Sequence, residues 1–273
     1  MDRSAGRCSD NVEIRAGPEE KKVRLVMRKV MCCLTCAIAV VILMGFSIGI
    51  VEAKCIEAQA INPADFDSPV NNLYFPKAVG TTYVYGAEED DELIVNEIMI
   101  TAGTVDILGV SCNVIYDVEW LWVEEKGAWY LIEETYDWHA WDNYGNVWYF
   151  GEETYERIYD EDWNWIDTST EGSWKAGVGG ALPGIVMLAD PIPGMCYEQE
   201  YYEDEAEDMG KVLRLNASVS VEYGDYDDCL KTKEWTPLER GQVEHKYYAP
   251  GLGLVLVEEL KEKTVLVELV AIY

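Results

Sequence analysis

The segment that decides the fold is WHAWDNYGNVWYFGEETYERIY, residues 138–159. Turn-forming residues dominate positions 142–146 (DNYGN), and Gly145 among them tolerates a positive φ. Runs that alternate aromatic and polar side chains flank this turn on both sides. A turn between two alternating runs is typical of an antiparallel hairpin, so the segment predicts two paired strands.

The same pattern continues along the chain from residue 81. Short runs rich in Val, Ile, Tyr, Trp and Thr recur between Gly, Asp, Asn and Pro residues, whereas the spacing of an amphipathic helix is absent after residue 53. We therefore predict one all-β domain over residues 77–273. It would contain about a dozen mostly antiparallel strands in a curved sheet or half-barrel.

Two stretches of the predicted domain resemble each other. Gly80 and Gly194 each begin a Gly-x-x-Tyr motif, an acidic run and an apolar strand follow, and a cysteine comes 32 and 35 residues later, respectively. These features predict an internal duplication, with units at residues 77–175 and 191–273 that share one continuous sheet. Chance recurrence of short acidic β motifs is the alternative.

A long apolar segment precedes the β domain. Residues 30–51 carry no charge, and a helix of this length reaches about 33 Å against a hydrocarbon core of about 30 Å. Residues 30–53 are therefore predicted to be a transmembrane anchor or, because Val51-Glu52-Ala53 resembles a signal peptidase site, a cleaved signal peptide. In both cases the preceding bases stay inside, and the remaining chain is extracytoplasmic, either secreted or membrane-anchored.

The segments on either side of the apolar stretch have no periodic pattern. Residues 1–29 form a polar, basic arm, which we interpret as a disordered segment or as an extension upstream of a start at Met27. Residues 54–76 mix Pro, Asn and Asp, which predicts a linker into the β domain. The expected order is therefore arm, apolar helix, linker and sheet.

Acidic residues outnumber basic ones in this chain. There are 51 Asp and Glu against 21 Lys and Arg, a formal charge of -30. Because nucleic-acid binding depends on clustered Lys and Arg, this charge excludes a nucleic-acid partner. The acidic runs at 88–92, 203–208 and 225–228 contain oxygen ligands suited to Ca²⁺, but we interpret them as solvated loops. No cofactor or metal site is predicted, and the oligomeric state stays open.

Four cysteines follow the apolar segment: Cys55, Cys112, Cys196 and Cys229. They allow three pairings, and an oxidising compartment permits disulfides. The candidate pair is Cys112 with Cys229, because that bond would close a loop of more than 100 residues. Such a closure is worth about 4 to 5 kcal/mol in the chain-entropy model.

Tryptophan is concentrated in one part of the domain, since nine of the ten tryptophans fall between residues 120 and 174. Trp120 and Trp122 are two apart and share a strand face, whereas Trp138 and Trp141 face opposite sides. One face must line the core, and we predict that the other lines a cavity or a platform for sugar rings or an acyl chain. The candidate ligand-binding residues are Trp120, Trp122, Trp138, Trp141 and Trp148. Use of these aromatic side chains in the core alone is the alternative.

Known catalytic motifs are absent from the sequence. It contains no Gly-x-Ser-x-Gly, no His-Glu-x-x-His and no phosphate-binding glycine loop. The two histidines, His139 and His245, lie on predicted strands, where a packed or surface role is favoured over that of a general base. We therefore name no catalytic residue and do not expect an enzyme.

Several motifs occur together between residues 72 and 260. They are NLYFP at 72–76, GTTYVY at 80–85, DW at 137–138, GNVWYFGE at 145–152, PGIVM at 183–187, QEYY at 199–202, EAEDM at 205–209 and YYAPGLGLV at 247–255. As a set they resemble a family of uncharacterised secreted prokaryotic β proteins, which carries no known activity. That resemblance implies Tyr in the places of His139 and His245, and so disfavours a histidine mechanism. The last motif is also similar, more faintly, to β proteins of the lipoprotein-carrier type, whose curved sheet encloses an apolar cavity.

These observations lead to three functional hypotheses. The first is a non-enzymatic extracytoplasmic protein that binds an apolar or glycan ligand on its aromatic face, and that contacts the membrane through residues 30–51 if these are not cleaved. The second is a structural or partner-binding envelope protein, which an exposed patch without a cavity would favour. The third is a hydrolase with paired carboxylates, which needs a concave site with one carboxyl whose pKa is raised by burial.

Overall fold

The computed structural model describes residues 54–89, 92–260 and 265–273. These residues form fifteen β-strands and a single turn of 3₁₀ helix at Pro63–Phe66, which confirms the all-β prediction. The strands are β1 Thr82–Glu89, β2 Glu92–Ile107, β3 Val110–Val123, β4 Ala128–Trp141, β5 Val147–Tyr159, β6 Trp165–Ser169, β7 Trp174–Lys175, β8 Leu182–Met187, β9 Cys196–Glu198, β10 Glu200–Tyr201, β11 Met209–Val221, β12 Gly224–Trp235, β13 Val243–Ala249, β14 Gly253–Glu259 and β15 Val265–Ile272.

All of these strands belong to one antiparallel, open, curved sheet, as predicted. Its order is β10-β8-β5-β4-β3-β2-β1-β15-β14-β13-β12-β11-β9, and β6 and β7 pair with β5 beside this path. The two ends of the sheet, β9 and β10, are consecutive in the chain and only Gln199 separates them. The sheet therefore curls until its two ends are joined by one short segment.

A close backbone approach accompanies this curling. Gly184 on β8 lies so near the joining segment that a Cβ at this position would come within 2.5 Å of the Gln199 carbonyl carbon. Any side chain larger than hydrogen would push the two backbones apart. The Pro-Gly pair in the sequence at 183–184 thus has a structural role where the sheet ends meet.

The hairpin of residues 138–159 forms as predicted, and its turn is built around a buried carboxylate. Asp142 is 3% exposed, and its Oδ1 accepts hydrogen bonds from the backbone N–H groups of Tyr144 and Asn146, both at 2.8 Å. Its Oδ2 accepts from the Asn146 amide at 2.7 Å and from the Trp148 indole at 2.9 Å. The hydrogen-bonding capacity of the carboxylate is therefore used within the turn itself and by Trp148.

The next hairpin repeats the same turn on the protein surface. Asp160 Oδ1 accepts from the backbone N–H groups of Asp162 and Asn164 at 2.9 and 2.8 Å. The fourth position of each turn has a positive φ, 94° at Gly145 and 61° at Trp163. Both turns thus follow the pattern Asp-x-x-x-Asn, in which the first carboxylate takes the place of a backbone acceptor.

Residues 54–76, for which the sequence predicts a linker, pack against the sheet instead. The Ile56 N–H donates to the Cys196 carbonyl at 2.9 Å. Asn72 is buried, and its amide donates to the carbonyls of Gly145 at 2.7 Å and Leu188 at 3.0 Å. The side-chain hydrogen bonds of Asn72 were not foreseeable, because their acceptors lie 73 and 116 residues away in sequence.

The predicted disulfide between Cys112 and Cys229 is wrong, because the structure pairs Cys55 with Cys196 across 141 residues. Cys112 and Cys229 are buried free thiols. They lie on β3 and β12, which five other strands separate in the sheet order, and they belong to different groups of buried side chains. A disulfide requires Cα atoms within about 7 Å, which this placement does not provide.

Other sequence predictions concern parts of the chain outside the described residues. No helix among the described residues is long and apolar enough to cross a membrane. The arm at residues 1–29 and the anchor or signal peptide at 30–53 lie outside them. The internal duplication stays a prediction, although each predicted unit contains a five-stranded antiparallel meander, β1–β5 and β11–β15.

Candidate functional site

A cavity of about 240 Å³ lies on the concave side of the curved sheet. The first four strands each contribute two side chains to it, and the members of every pair are two residues apart. They are Tyr83, Tyr85, Ile98, Ile100, Ile115, Asp117, Asp137 and His139. Because alternate residues of a strand share one face, this spacing shows that a single face of the sheet builds the wall.

One part of the wall is apolar and aromatic. Tyr83 and Tyr85 on β1 lie there beside Ile98 and Ile100 on β2, and Leu254 on β14 completes this side. The Tyr85 hydroxyl donates to the Leu254 carbonyl at 3.0 Å, so its proton is not available to a ligand. This part of the cavity suits a hydrophobic group.

The part of the wall next to this apolar side carries two aspartates on adjacent strands, and Asp117 is the in-register neighbour of Ile98. Asp137 on β4 pairs in register with Ile115, so it lies diagonally across from Asp117 on β3. Burial raises the pKa of Asp117 well above its ordinary value, and the nearby charge of Asp137 acts in the same direction. The Asn96 amide donates to Asp117 Oδ1 at 2.5 Å and partly offsets that shift.

Asp137 shares one hydroxyl with a second carboxyl behind it. The Tyr149 hydroxyl lies 2.6 Å from Asp137 Oδ1 and 3.0 Å from Glu152 Oε2. A hydroxyl has only one proton to donate, so a proton on one of the two carboxyls would supply a second hydrogen bond and remove their mutual repulsion. Burial raises the pKa of Asp137 to about 6 and that of Glu152 to about 8, so Glu152 is the carboxyl that more readily holds this proton.

His139 contributes to the wall a buried polar atom, Nδ1, that lacks a partner among the described residues. Its ring stacks between Phe75 at 5.5 Å and Tyr149 at 4.8 Å, measured between ring centroids. The side chain is 8% exposed, and its Nδ1 makes no hydrogen bond. Burial lowers the pKa of His139 to about 3. The ring is therefore neutral near neutral pH, and it is too weak a base to hold a proton there.

A buried ion pair closes the cavity from the other half of the sheet. Lys246 on β13 lies 3.0 Å from Glu234 on β12, and Tyr248 donates to the same carboxylate at 3.2 Å. Although burial opposes ionisation, Lys246 lowers the pKa of Glu234, and Glu234 in turn raises the pKa of Lys246. The two charges therefore neutralise each other.

The five tryptophans predicted to bind a ligand do not line this cavity. Trp138, Trp141 and Trp148 are buried in the core, where the Trp141 indole donates to the Phe75 carbonyl at 3.0 Å. Trp120 and Trp122 are partly exposed on β3, and Trp122 packs on Trp129 with ring centroids 5.4 Å apart. A role for these five side chains in ligand binding stays a prediction.

The residues that do line the cavity were missed by the sequence analysis, although a signal for them exists. On β3, Asp117 follows Ile115 at the position where the alternation predicts another inward side chain. On β4, Asp137 and His139 share a face, and Trp138 lies on the other one. Polar residues at inward positions of a strand are the pattern that marks this site.

The described residues contain no group of three or more His, Cys, Asp or Glu side chains placed to hold a metal ion.

Similar proteins do not identify the function of this chain. No family model matches the chain, and no curated protein sequence matches it. A crystal structure of a predicted lipoprotein from Parabacteroides distasonis matches 75% of this chain and 100% of that chain, at 11% sequence identity and a TM-score of 0.37. At that score the match carries no conclusion about function or location, and the resemblance to a secreted family stays a prediction.

Proposed function

We propose that the curved sheet binds a small molecule with an apolar body inside its concave face, and that it does so outside the cytoplasm. The observation that carries this proposal is the cavity itself, which combines an apolar wall with a few buried polar groups. Ligand pockets of proteins have this composition. The alternative, a structural envelope protein, would be favoured by a fold without a cavity. Since a cavity is present, the geometry supports ligand binding better.

The size of the cavity narrows the range of ligands. Its volume of about 240 Å³ is below the range of about 300 to 1,000 Å³ that is usual for pockets of drug-sized ligands. A compact molecule with a short apolar part fits this space better than a long acyl chain or an oligosaccharide.

The disulfide supports an extracytoplasmic location. Cys55 and Cys196 are bonded, and disulfides persist in oxidising compartments but are rare in the cytosol. The apolar segment predicted at residues 30–51, with its preceding bases, supports the same location.

Thermal unfolding in the presence of butan-1-ol, hexan-1-ol, octan-1-ol and methyl β-glucoside tests the proposed function. Ligand binding to the folded state raises the midpoint of unfolding. The variant Ile100→Trp, which fills the cavity, should lose this response, whereas Leu266→Trp on the exposed side of β15 should keep it. Equal responses of both variants to every compound would overturn the proposal.

A hydrolase is the second candidate, because the structure provides the buried carboxyl that it requires. Asp137 lies in a concave site and burial raises its pKa to about 6, a value suited to a general acid. Hydrolysis of methyl glycosides, whose alkoxide leaving group needs a proton, should then be lost in Asp137→Asn. If the wild-type protein hydrolyses none of them faster than this variant does, glycoside hydrolysis is excluded.

A further inference from the structure

Hydrogen-bond donors of the cavity wall are largely engaged within the protein. The Tyr149 hydroxyl is held by Asp137, the Tyr248 hydroxyl by Glu234, and the Lys246 ammonium by Glu234 and Glu244. The Tyr85 hydroxyl is engaged in the same way by the Leu254 carbonyl. A ligand that needs several donors from the protein would find few in this cavity.

The cavity wall contains more hydrogen-bond acceptors than free hydrogen-bond donors. The hydrogen bonds of Asp117 and Asp137 to Asn96 and Tyr149 engage only the Oδ1 atom of each aspartate. His139 lines the same cavity, is more than nine-tenths buried, and has an Nδ1 atom without a partner among the described residues. In the tautomer that carries its proton on Nε2, this Nδ1 is an acceptor, and a ligand donor would recover the free energy that the unpartnered buried atom costs.

The charged side chains of the cavity wall also favour a ligand that donates hydrogen bonds. Besides His139, which burial keeps neutral, four side chains of the wall can carry charge: Asp117, Asp137, Glu234 and Lys246. Lys246 is paired with Glu234 at 3.0 Å, so the two aspartates have no cation beside them in the cavity. Burial raises the pKa of both aspartates, and a cation bound beside them would offset this effect by stabilising the ionised form of each carboxyl.

We propose that the ligand is a small organic cation, an ammonium group on a short apolar body. Its N–H groups, which only donate, would reach Asp117 and Asp137, and its apolar part would lie against the wall at Ile100. The rings of Tyr83 and Tyr85 favour a cation as well, because aromatic faces attract positive charge. A sugar hydroxyl both donates and accepts, so the shortage of free donors disfavours it. This inference rests on the proposed function, since it names the ligand class of the same cavity.

Titration calorimetry with hexylamine and hexan-1-ol tests this inference, because the two compounds have the same length and differ in charge at neutral pH. We expect hexylamine to bind the wild-type protein at least tenfold more tightly than hexan-1-ol. In Asp117→Asn/Asp137→Asn the affinity for hexylamine should fall at least tenfold, and the affinity for hexan-1-ol should stay within about twofold. The control Asp106→Asn/Glu156→Gln also removes two negative charges, but at exposed positions, and should behave as the wild type does.

The outcomes separate this inference from the proposed function. Hexan-1-ol that binds as tightly as hexylamine would overturn the proposal of a cationic ligand but not that of a binding cavity. The same holds if the control variant loses the preference for hexylamine as strongly as the double variant of Asp117 and Asp137 does. If neither compound binds the wild-type protein, and the alcohols and the glucoside do not shift its unfolding, both proposals fail. Circular dichroism confirms that the double variant is folded, and the single variant Asp117→Asn replaces it if it is not.

Discussion

The carboxyl of Glu152 leads to a prediction about stability and pH. It lies on β5 behind Tyr149, and burial raises its pKa from an ordinary 4.5 to about 8. Glu200 on β10 has its pKa raised to about 8, again mainly by burial. Between the ordinary pKa of 4.5 and the raised pKa of about 8, these two glutamates keep their protons in the folded protein but lose them in the unfolded chain. Raised pKa values of acids stabilise the fold at low pH, so this stability is lost as the pH rises towards 8.

For these two glutamates the magnitude follows from the window above the titration of the histidines; Asp117, whose pKa burial also raises well above its ordinary value, acts in the same direction. The pKa values of both histidines are lowered, so they affect the free energy of unfolding only below about pH 6.5. From there to the folded pKa of about 8, each glutamate changes the free energy of unfolding by about 2 kcal/mol. We therefore expect the wild-type protein to lose about 2 to 4 kcal/mol between about pH 6.5 and about pH 8.5.

Urea denaturation at these two pH values, at constant ionic strength, measures the loss. Glu152→Gln keeps an acceptor for the Tyr149 hydroxyl but cannot ionise, so it should remove about 2 kcal/mol of the difference. Glu153→Gln removes one charge from the neighbouring exposed position and controls for general charge repulsion. A Glu152→Gln variant whose midpoints fall as steeply with pH as those of Glu153→Gln would refute the reasoning.

Three further predictions concern the turns and the disulfide. Asp142→Ala leaves buried donors of the turn unpaired and should lower the free energy of unfolding by about 3 kcal/mol in urea; Asp160→Ala in the exposed copy of the turn should cost clearly less, and equal losses would contradict the role of burial. Cys55→Ser opens the loop closed by the bond to Cys196 and should cost about 4 to 5 kcal/mol under non-reducing conditions; peptide mapping that finds any other pair would disprove the assignment. Leu108 is 46% exposed and has a φ of 53° in the turn between β2 and β3. Leu108→Asn should therefore raise the free energy of unfolding by about 1 kcal/mol, because Asn-Gly suits such a turn; a lower midpoint of thermal unfolding would count against this.

The sequence predicted the class of fold because the signals for it are local. Alternating side chains over residues 138–159 and the turn at 142–146 determine a hairpin through contacts between near neighbours, and β4 and β5 form as expected. The repeated Asp-x-x-x-Asn turn is equally local. An antiparallel sheet follows from such hairpins in series, since each strand pairs with the next one.

The disulfide and the end of the sheet depend on distant partners. Cys55 meets Cys196 only because β9 and β10 join the two ends of the curled sheet, which brings residues 54–76 against it. No spacing of cysteines in the sequence contains that information. The pairing of Cys112 with Cys229 failed for the same reason, because the sheet order places their strands apart.

The site was decided by the direction in which the sheet curls. Alternation alone shows that Asp137 and His139 share one face of β4 and that Trp138 lies on the other. It does not show which face is concave, because curvature is set by contacts among all the strands. The cavity lies on the face that carries Asp117 and Asp137, and the role of the tryptophans in ligand binding stays a prediction. Local pattern thus determined the strands, and only their long-range arrangement determined the chemistry they enclose.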